Sequence, residues 1–179
     1  MNNEFVSTEF KELFSIMEAA LANGQKTQFT VTGTSMFPLF SNGRDTVVIA
    51  RVPEYKKRDI IFYIRNTGDF VLHRIVDKKN DNGTTVFSLC GDNQYVAETP
   101  IYEEQIIGKV VGFIRKGKSY TINHFGYRLY SFLWCTSLSV RPYIINPVMA
   151  VYKKIVKLKN KKNNRSAKRK NLKKVLSYG

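Results

Sequence analysis

Apolar and polar positions along this chain keep one rhythm, then a second, then the first again. Phe10, Leu13, Phe14, Met17, Ala20 and Leu21 recur at three- and four-residue spacing, one face of a helix. Ser7 or Thr8 can cap its start, and Asn23-Gly24 supplies a left-handed stop. From Gln28 to about Tyr120 the texture becomes β, with apolar and β-branched runs at Phe29–Thr32, Thr46–Ala50, Asp59–Arg65, Phe70–Val76, Thr85–Leu89 and Ile106–Ile114. Asn42-Gly43, Asn66-Thr67-Gly68, Asp81-Asn82-Gly83 and Lys116-Gly117 punctuate these runs, and two of the breaks read as hairpins: Asn66-Thr67-Gly68 and Asn80–Gly83. After Tyr120 the rhythm returns to helical, over about Tyr127–Leu138 and Ile144–Leu158, with Arg141-Pro142 between them.

Strands at this spacing with no helical pattern between them predict a mainly β fold: an antiparallel sheet, coiled or closed into a barrel. It carries an N-terminal helix and a C-terminal basic helical tail. The predicted organisation is an amphipathic helix over 1–25, a β domain over 26–120, an aromatic and basic helical segment over 121–160, and a basic disordered tail over 161–179. No internal repeat is present.

Charge sharpens this division. The formal net charge is +15, but residues 1–113 sum to −2, while residues 114–179 hold 17 Lys/Arg and no acid. A near-neutral body thus carries a basic tail, and such a tail seeks phosphate, on lipid headgroups or nucleic acid. Cys90 and Cys135 form neither a metal-binding pattern nor a disulfide framework, and read as two free thiols in a reducing compartment. Glu4, Glu9, Lys11, Glu12 and Glu18 interrupt any signal-peptide core near the start. No stretch reaches the roughly 18 to 20 uncharged apolar residues of a spanning helix.

Three places can carry chemistry. In Val31-Thr32-Gly33-Thr34-Ser35-Met36-Phe37-Pro38, Ser35 follows a strand where the chain must turn sharply. Such a turn exposes the hydroxyl and leaves backbone N–H groups nearby, as an oxyanion hole requires; it also describes an ordinary turn serine. A serine hydroxyl needs a base, and the chain has two histidines. His73 lies within Phe70–Val76, where alternation puts Val71, His73 and Ile75 on one face and Leu72, Arg74 and Val76 on the other. It is either a satisfied core residue or a positioned base. His124 reads as a surface histidine. Asp92, in Gly91-Asp92-Asn93 after a strand, can orient an imidazole or cap a turn.

Taken together, Gly33–Pro38, Val71-Leu72-His73-Arg74-Ile75-Val76 and Gly91-Asp92-Asn93 resemble the signal peptidase I superfamily in order and spacing, over approximately residues 28–115. Asp59-Ile60-Ile61-Phe62-Tyr63 and Ile107–Gly112 resemble two further strands of that family. The resemblance implies a serine endopeptidase with Ser35 as nucleophile, His73 as general base, and Asp92 and Glu98 as acids supporting it. Bacterial leader peptidases and self-cleaving repressors have lysine before the arginine. His73 matches instead the endoplasmic-reticulum and archaeal type and related Bacillus enzymes. Glu98 stands where that branch more often has Asp. Some bacterial members place a side-chain hydroxyl two residues before the serine. Here that position is Gly33, so the implied oxyanion hole uses the Ser35 N–H with Thr34 or Thr32. Met36 and Pro38 are implied to contact substrate. No metal or cofactor is implied.

The implied partner is a peptide or protein with a leader segment, bound extended along a strand edge. Aromatics next to clustered lysines predict a peripheral contact with an anionic membrane surface, on the cytoplasmic side, with Trp134 and the tyrosines at the interface. Nucleic-acid binding in the manner of a self-cleaving repressor is the weaker alternative, since neither a helix-turn-helix segment nor a lysine base is present. A catalytically dead peptide-binding relative is the other.

Overall fold

A computed structural model describes residues 13–148, 150, 151, 154, 155, 157 and 158. The proposed caps at Ser7 and Thr8, and the tail beyond residue 158, lie outside the described residues. The chain forms two compact units, one to Ser139 and one from Val140. In the first unit, helix α1 (residues 13–22) precedes eight strands: β1 (Thr27–Thr30), β2 (Thr46–Ala50), β3 (Ile60–Ile64), β4 (Phe70–Asp81), β5 (Thr84–Cys90), β6 (Glu98–Ile101), β7 (Ile106–Arg115) and β8 (Lys118–Thr121). Helix α2 (Phe125–Thr136) follows. In the second unit, residues 141–148 are helical, as are the residues described from 150 to 158.

All strand pairs are antiparallel, in the order β1-β2-β7-β3-β4-β5-β6, with β8 also on β7. The sheet is open: β1 and β6 are its edges, so the closed-barrel form of the expectation does not occur. Two long strands coil it. The first half of β4 pairs β3 and the second half pairs β5, with a register shift between Ile75 and Asp77. On one edge β7 pairs β3 through Ile106–Lys109 and β8 through Gly112–Arg115. A bulge of this kind bends a strand and raises its twist. Both anticipated hairpins form, joining β3 to β4 and β4 to β5.

Coiling gives the sheet two apolar clusters. One gathers Val47, Ile49, Ile60, Phe62, Leu72 and Phe113 with Leu21 of α1 and Tyr127 of α2; the other gathers Ile61, Tyr63, Ile75, Phe87, Leu89 and Ile101. The alternation of β3 is therefore invisible in sequence, because each face of it lies in a core: Ile60 and Phe62 in one, Ile61 and Tyr63 in the other. β4 obeys the expected alternation, with Leu72 in the first cluster and Val71 and Ile75 in the second. Each buried Ile or Phe here contributes about 1.5–3 kcal/mol relative to exposure.

Candidate active site

The Ser35 turn hangs between β1 and β2 and is tied at both ends. The Val31 N–H donates to the Asp45 carbonyl at 2.9 Å and the Gly43 N–H to the Val31 carbonyl at 2.8 Å. Gly33 has φ +80°, a conformation that side chains rarely adopt, and its N–H donates to Asn42 Oδ1 at 3.0 Å. Asp45 is fully buried and accepts from Ser41 N–H at 2.8 Å and from Arg44. Burial alone would raise its carboxyl pKa, but those bonds and the charges of Arg44 and Arg115 hold it below the usual range.

The turn docks through its backbone onto the Gly91-Asp92-Asn93 segment. The Asn93 N–H donates to the Ser35 carbonyl at 2.7 Å. A Cβ on Gly91 would fall 2.6 Å from that same carbonyl and 2.8 Å from Gln94 Oε1, so only glycine admits this approach. Ser35 is half-buried. Among the described residues, no hydrogen bond engages its hydroxyl, its N–H or that of Thr34. Thr32 and Thr34 are exposed and Pro38 is half-buried. Met36, expected to contact substrate, is 1% exposed and belongs to the first apolar cluster; its flexible side chain fills the core beneath the turn.

His73 sits one residue before Arg74 in β4, and Arg74 pairs with Cys90 immediately ahead of Gly91. The imidazole is 1% exposed. Its Nδ1 lies 3.3 Å from the Tyr63 hydroxyl and 3.4 Å from Glu98 Oε1. Burial pushes its pKa down to about 4; the Glu98 carboxylate opposes the shift, Arg65 adds to it, and Asp92 opposes it more weakly. The ring is thus neutral at pH 7, the state a general base requires. No hydrogen bond joins it to the Ser35 hydroxyl among the described residues.

The two acids behave differently. Asp92 does not reach His73. Its carboxylate accepts from Arg74 Nε at 2.8 Å and Nη2 at 2.7 Å, with both side chains fully buried, and from Tyr130 at 3.1 Å. Arg74 Nη1 also donates to the Arg58 carbonyl at 3.0 Å and to Ser131 Oγ at 2.8 Å. Burial opposes the charge of Arg74, but Asp92 overrides it and drives the guanidinium pKa upward. Glu98, at the start of β6, is the carboxylate beside His73. It accepts from Arg65 through both oxygens and from the Tyr63 hydroxyl at 2.8 Å. The Arg65 bonds come first among the causes that keep its pKa below the ordinary value, outweighing burial.

Helix α2 closes over the Arg74–Asp92 pair. Tyr127 and Tyr130 rings lie 5.7 Å from the guanidinium carbon, Tyr130 stacks on Trp134, and Trp134 Nε1 donates to the Asp92 carbonyl at 2.9 Å. These rings, expected at a membrane interface, are engaged in the body: an arginine, a carboxylate and a backbone carbonyl meet there and need partners in a buried place. Sequence reading missed Tyr63 and Arg65 as site residues. The Asn66-Thr67-Gly68 hairpin was the available signal, since it pairs Tyr63 with Val71 and so puts Tyr63 on the His73 side.

The open antiparallel sheet thus holds the Ser35 turn on the Gly91–Asn93 segment and sets Glu98 beside the imidazole of His73. Over 87 residues, 47% of this chain, it is 32% identical to signal peptidase I W of Bacillus subtilis (strain 168). This distant similarity supports the signal peptidase I superfamily. The aligned stretch takes in 46% of that relative, so the chain spans about half the length of the curated protein it matches. No family model matches the chain. Among the described residues no helix is long and apolar enough to cross a membrane, and no cluster of three or more His, Cys, Asp or Glu could hold a metal ion.

Proposed function

We propose that the chain is a serine endopeptidase that cleaves leader or signal peptides, with Ser35 as nucleophile and His73 as general base. The observation that carries this reading is the buried, neutral imidazole of His73, paired with Glu98 at 3.4 Å, on the strand next to the segment that grips the Ser35 carbonyl. In this reading substrate binding draws Ser35 and His73 together, since catalytic hydrogen bonds often tighten only in the substrate complex. The Ser35 hydroxyl oxygen attacks the peptide carbonyl as its proton passes to the imidazole. The Ser35 and Thr34 N–H groups receive the oxyanion. The imidazolium, stabilised by Glu98, protonates the leaving amine, and water then releases the acyl group by the same route. Asp92 acts through Arg74 as scaffold rather than as the acid on His73.

A leader-peptide cleavage assay with small residues before the cut tests this on wild type, Ser35→Ala and His73→Ala. The expected loss is at least 10³-fold in kcat for either variant. Cleavage at equal rates by all three removes the peptidase reading.

Peripheral contact with an anionic membrane surface belongs to the same proposal. Its support is the outward face of α2, where Phe125, Leu129, Phe132 and Leu133 are each 46% or more exposed, on a stretch of chain with no acid after residue 113. Truncation is a poor test, because the inner face of α2 holds Arg74 and Asp92. The combined Leu129→Glu and Leu133→Glu change is better. It is expected to weaken salt-sensitive binding to vesicles containing anionic lipid, and unchanged binding would refute the contact.

A further inference from the structure

We propose that Tyr63 is a positioning residue that selects the tautomer of His73, with Arg65 as the clamp that lets it do so; this rests on the reading of His73 as the base. The register places Tyr63 opposite Val71 and Ile61 opposite His73, so Tyr63 and His73 lie diagonally on the same face of the β3–β4 pair. Their ring centroids are 6.0 Å apart. The tyrosine hydroxyl has two neighbours, Glu98 Oε2 at 2.8 Å and His73 Nδ1 at 3.3 Å.

A hydroxyl has one proton to donate. Glu98, held ionised by Arg65, can only accept, so that proton belongs to Glu98. What Tyr63 then turns toward the imidazole is a lone pair. A lone pair facing Nδ1, with Glu98 Oε1 at 3.4 Å on the same nitrogen, is attractive only if Nδ1 carries the hydrogen. A neutral imidazole has one N–H, so Nε2 is left bare, the nitrogen that can take a proton. The alternative tautomer would aim a ring lone pair at two oxygen lone pairs in a site from which His73 has lost nearly all contact with water.

Arg65 makes the arrangement possible. Its Nε and Nη2 engage the two Glu98 oxygens in a fork, which fixes the carboxylate plane so that one oxygen meets Tyr63 and the other faces Nδ1. A lysine would supply the charge but not the plane. Burial and the bond to Glu98 together raise the Tyr63 pKa, so the hydroxyl keeps its proton wherever the histidine titrates.

The test is nitrogen NMR on the full chain labelled at histidine. It has two histidines, and His124→Gln assigns the signals. In wild type at pH 7 the His73 pattern should be that of a protonated Nδ1 and a bare Nε2. In Tyr63→Phe and in Arg65→Gln that pattern should shift toward the other tautomer, while Arg65→Lys should restore it only in part. A Tyr63→Phe spectrum that keeps the wild-type pattern overturns the proposal, as does a wild type that carries its proton on Nε2. Where peptide cleavage is measured, Tyr63→Phe should lower kcat about tenfold and leave KM nearly unchanged, the worth of about one hydrogen bond. A wild type inert toward leader peptides would remove the peptidase reading, whereas the spectra still decide the role of Tyr63.

Discussion

Two arginine–carboxylate pairs flank the histidine, chemically alike and placed in different surroundings. Arg74 and Asp92 are completely buried, and the arginine finds Asp92, a carbonyl and a serine hydroxyl around it. Arg65 and Glu98 remain 34% and 29% exposed, and the carboxylate retains contact with an imidazole. A fully enclosed pair is fixed by its bonds and out of reach of water, so it acts as a strut: it locks β4 to the Gly91 segment and, through Asn93, to the Ser35 turn. A pair at the rim costs less desolvation and can respond when its neighbour changes charge. Burial, more than residue type, separates the acid enclosed with Arg74 from the acid beside the imidazole.

The largest effect expected from this contrast comes from breaking the enclosed pair. Asp92→Ala leaves the Arg74 guanidinium buried and uncompensated, and should cost about 3–5 kcal/mol of unfolding free energy in a urea titration. A loss under 1 kcal/mol would mean that Arg74 is hydrated and the strut does not exist.

Acid should separate the buried histidine from the carboxylates. The folded-state pKa of His73, about 4, lies below the unfolded value of 6.5, so the unfolded chain binds more protons between those limits. Its contribution is therefore present in full above about pH 6.5 and lost as pH falls toward 4, on the order of 3 kcal/mol in all. The Glu98 pKa is lowered instead, so its contribution disappears only below its ordinary range. Unfolding curves of wild type and His73→Gln across this window should diverge; parallel curves would show that the imidazole is not held neutral by burial.

The rim pair should show a small stability effect and a kinetic one. Glu98→Gln keeps size and an accepting oxygen but removes the charge opposite the imidazolium. It is expected to lower kcat about 100-fold, roughly 2.7 kcal/mol in the barrier, while changing unfolding by less than about 1 kcal/mol. Equal kcat in the variant would return the orienting role to some other group.

Much of the architecture was legible in the chain. β2 begins and ends where its apolar run does, both tight hairpins sit at their Asn/Gly signals, and the alternation around His73 is the one the strand adopts. Less visible was β6: Glu98-Thr99-Pro100-Ile101 has little alternation and contains a proline, tolerable because the strand is an edge. Since Glu98 lies there, the position of the second acid was the least readable part of the site. Chain order and period determined the antiparallel class, the face of His73 and the serine turn, because these depend on local sterics and on side chains alternating along a strand. Which acid meets the histidine, why Met36 is core, and why Tyr127, Tyr130 and Trp134 of α2 face inward were decided by tertiary structure alone. Desolvation and hydrogen-bond saturation depend on what surrounds a group, and residues 16 to 57 positions from Arg74 in sequence supply those surroundings.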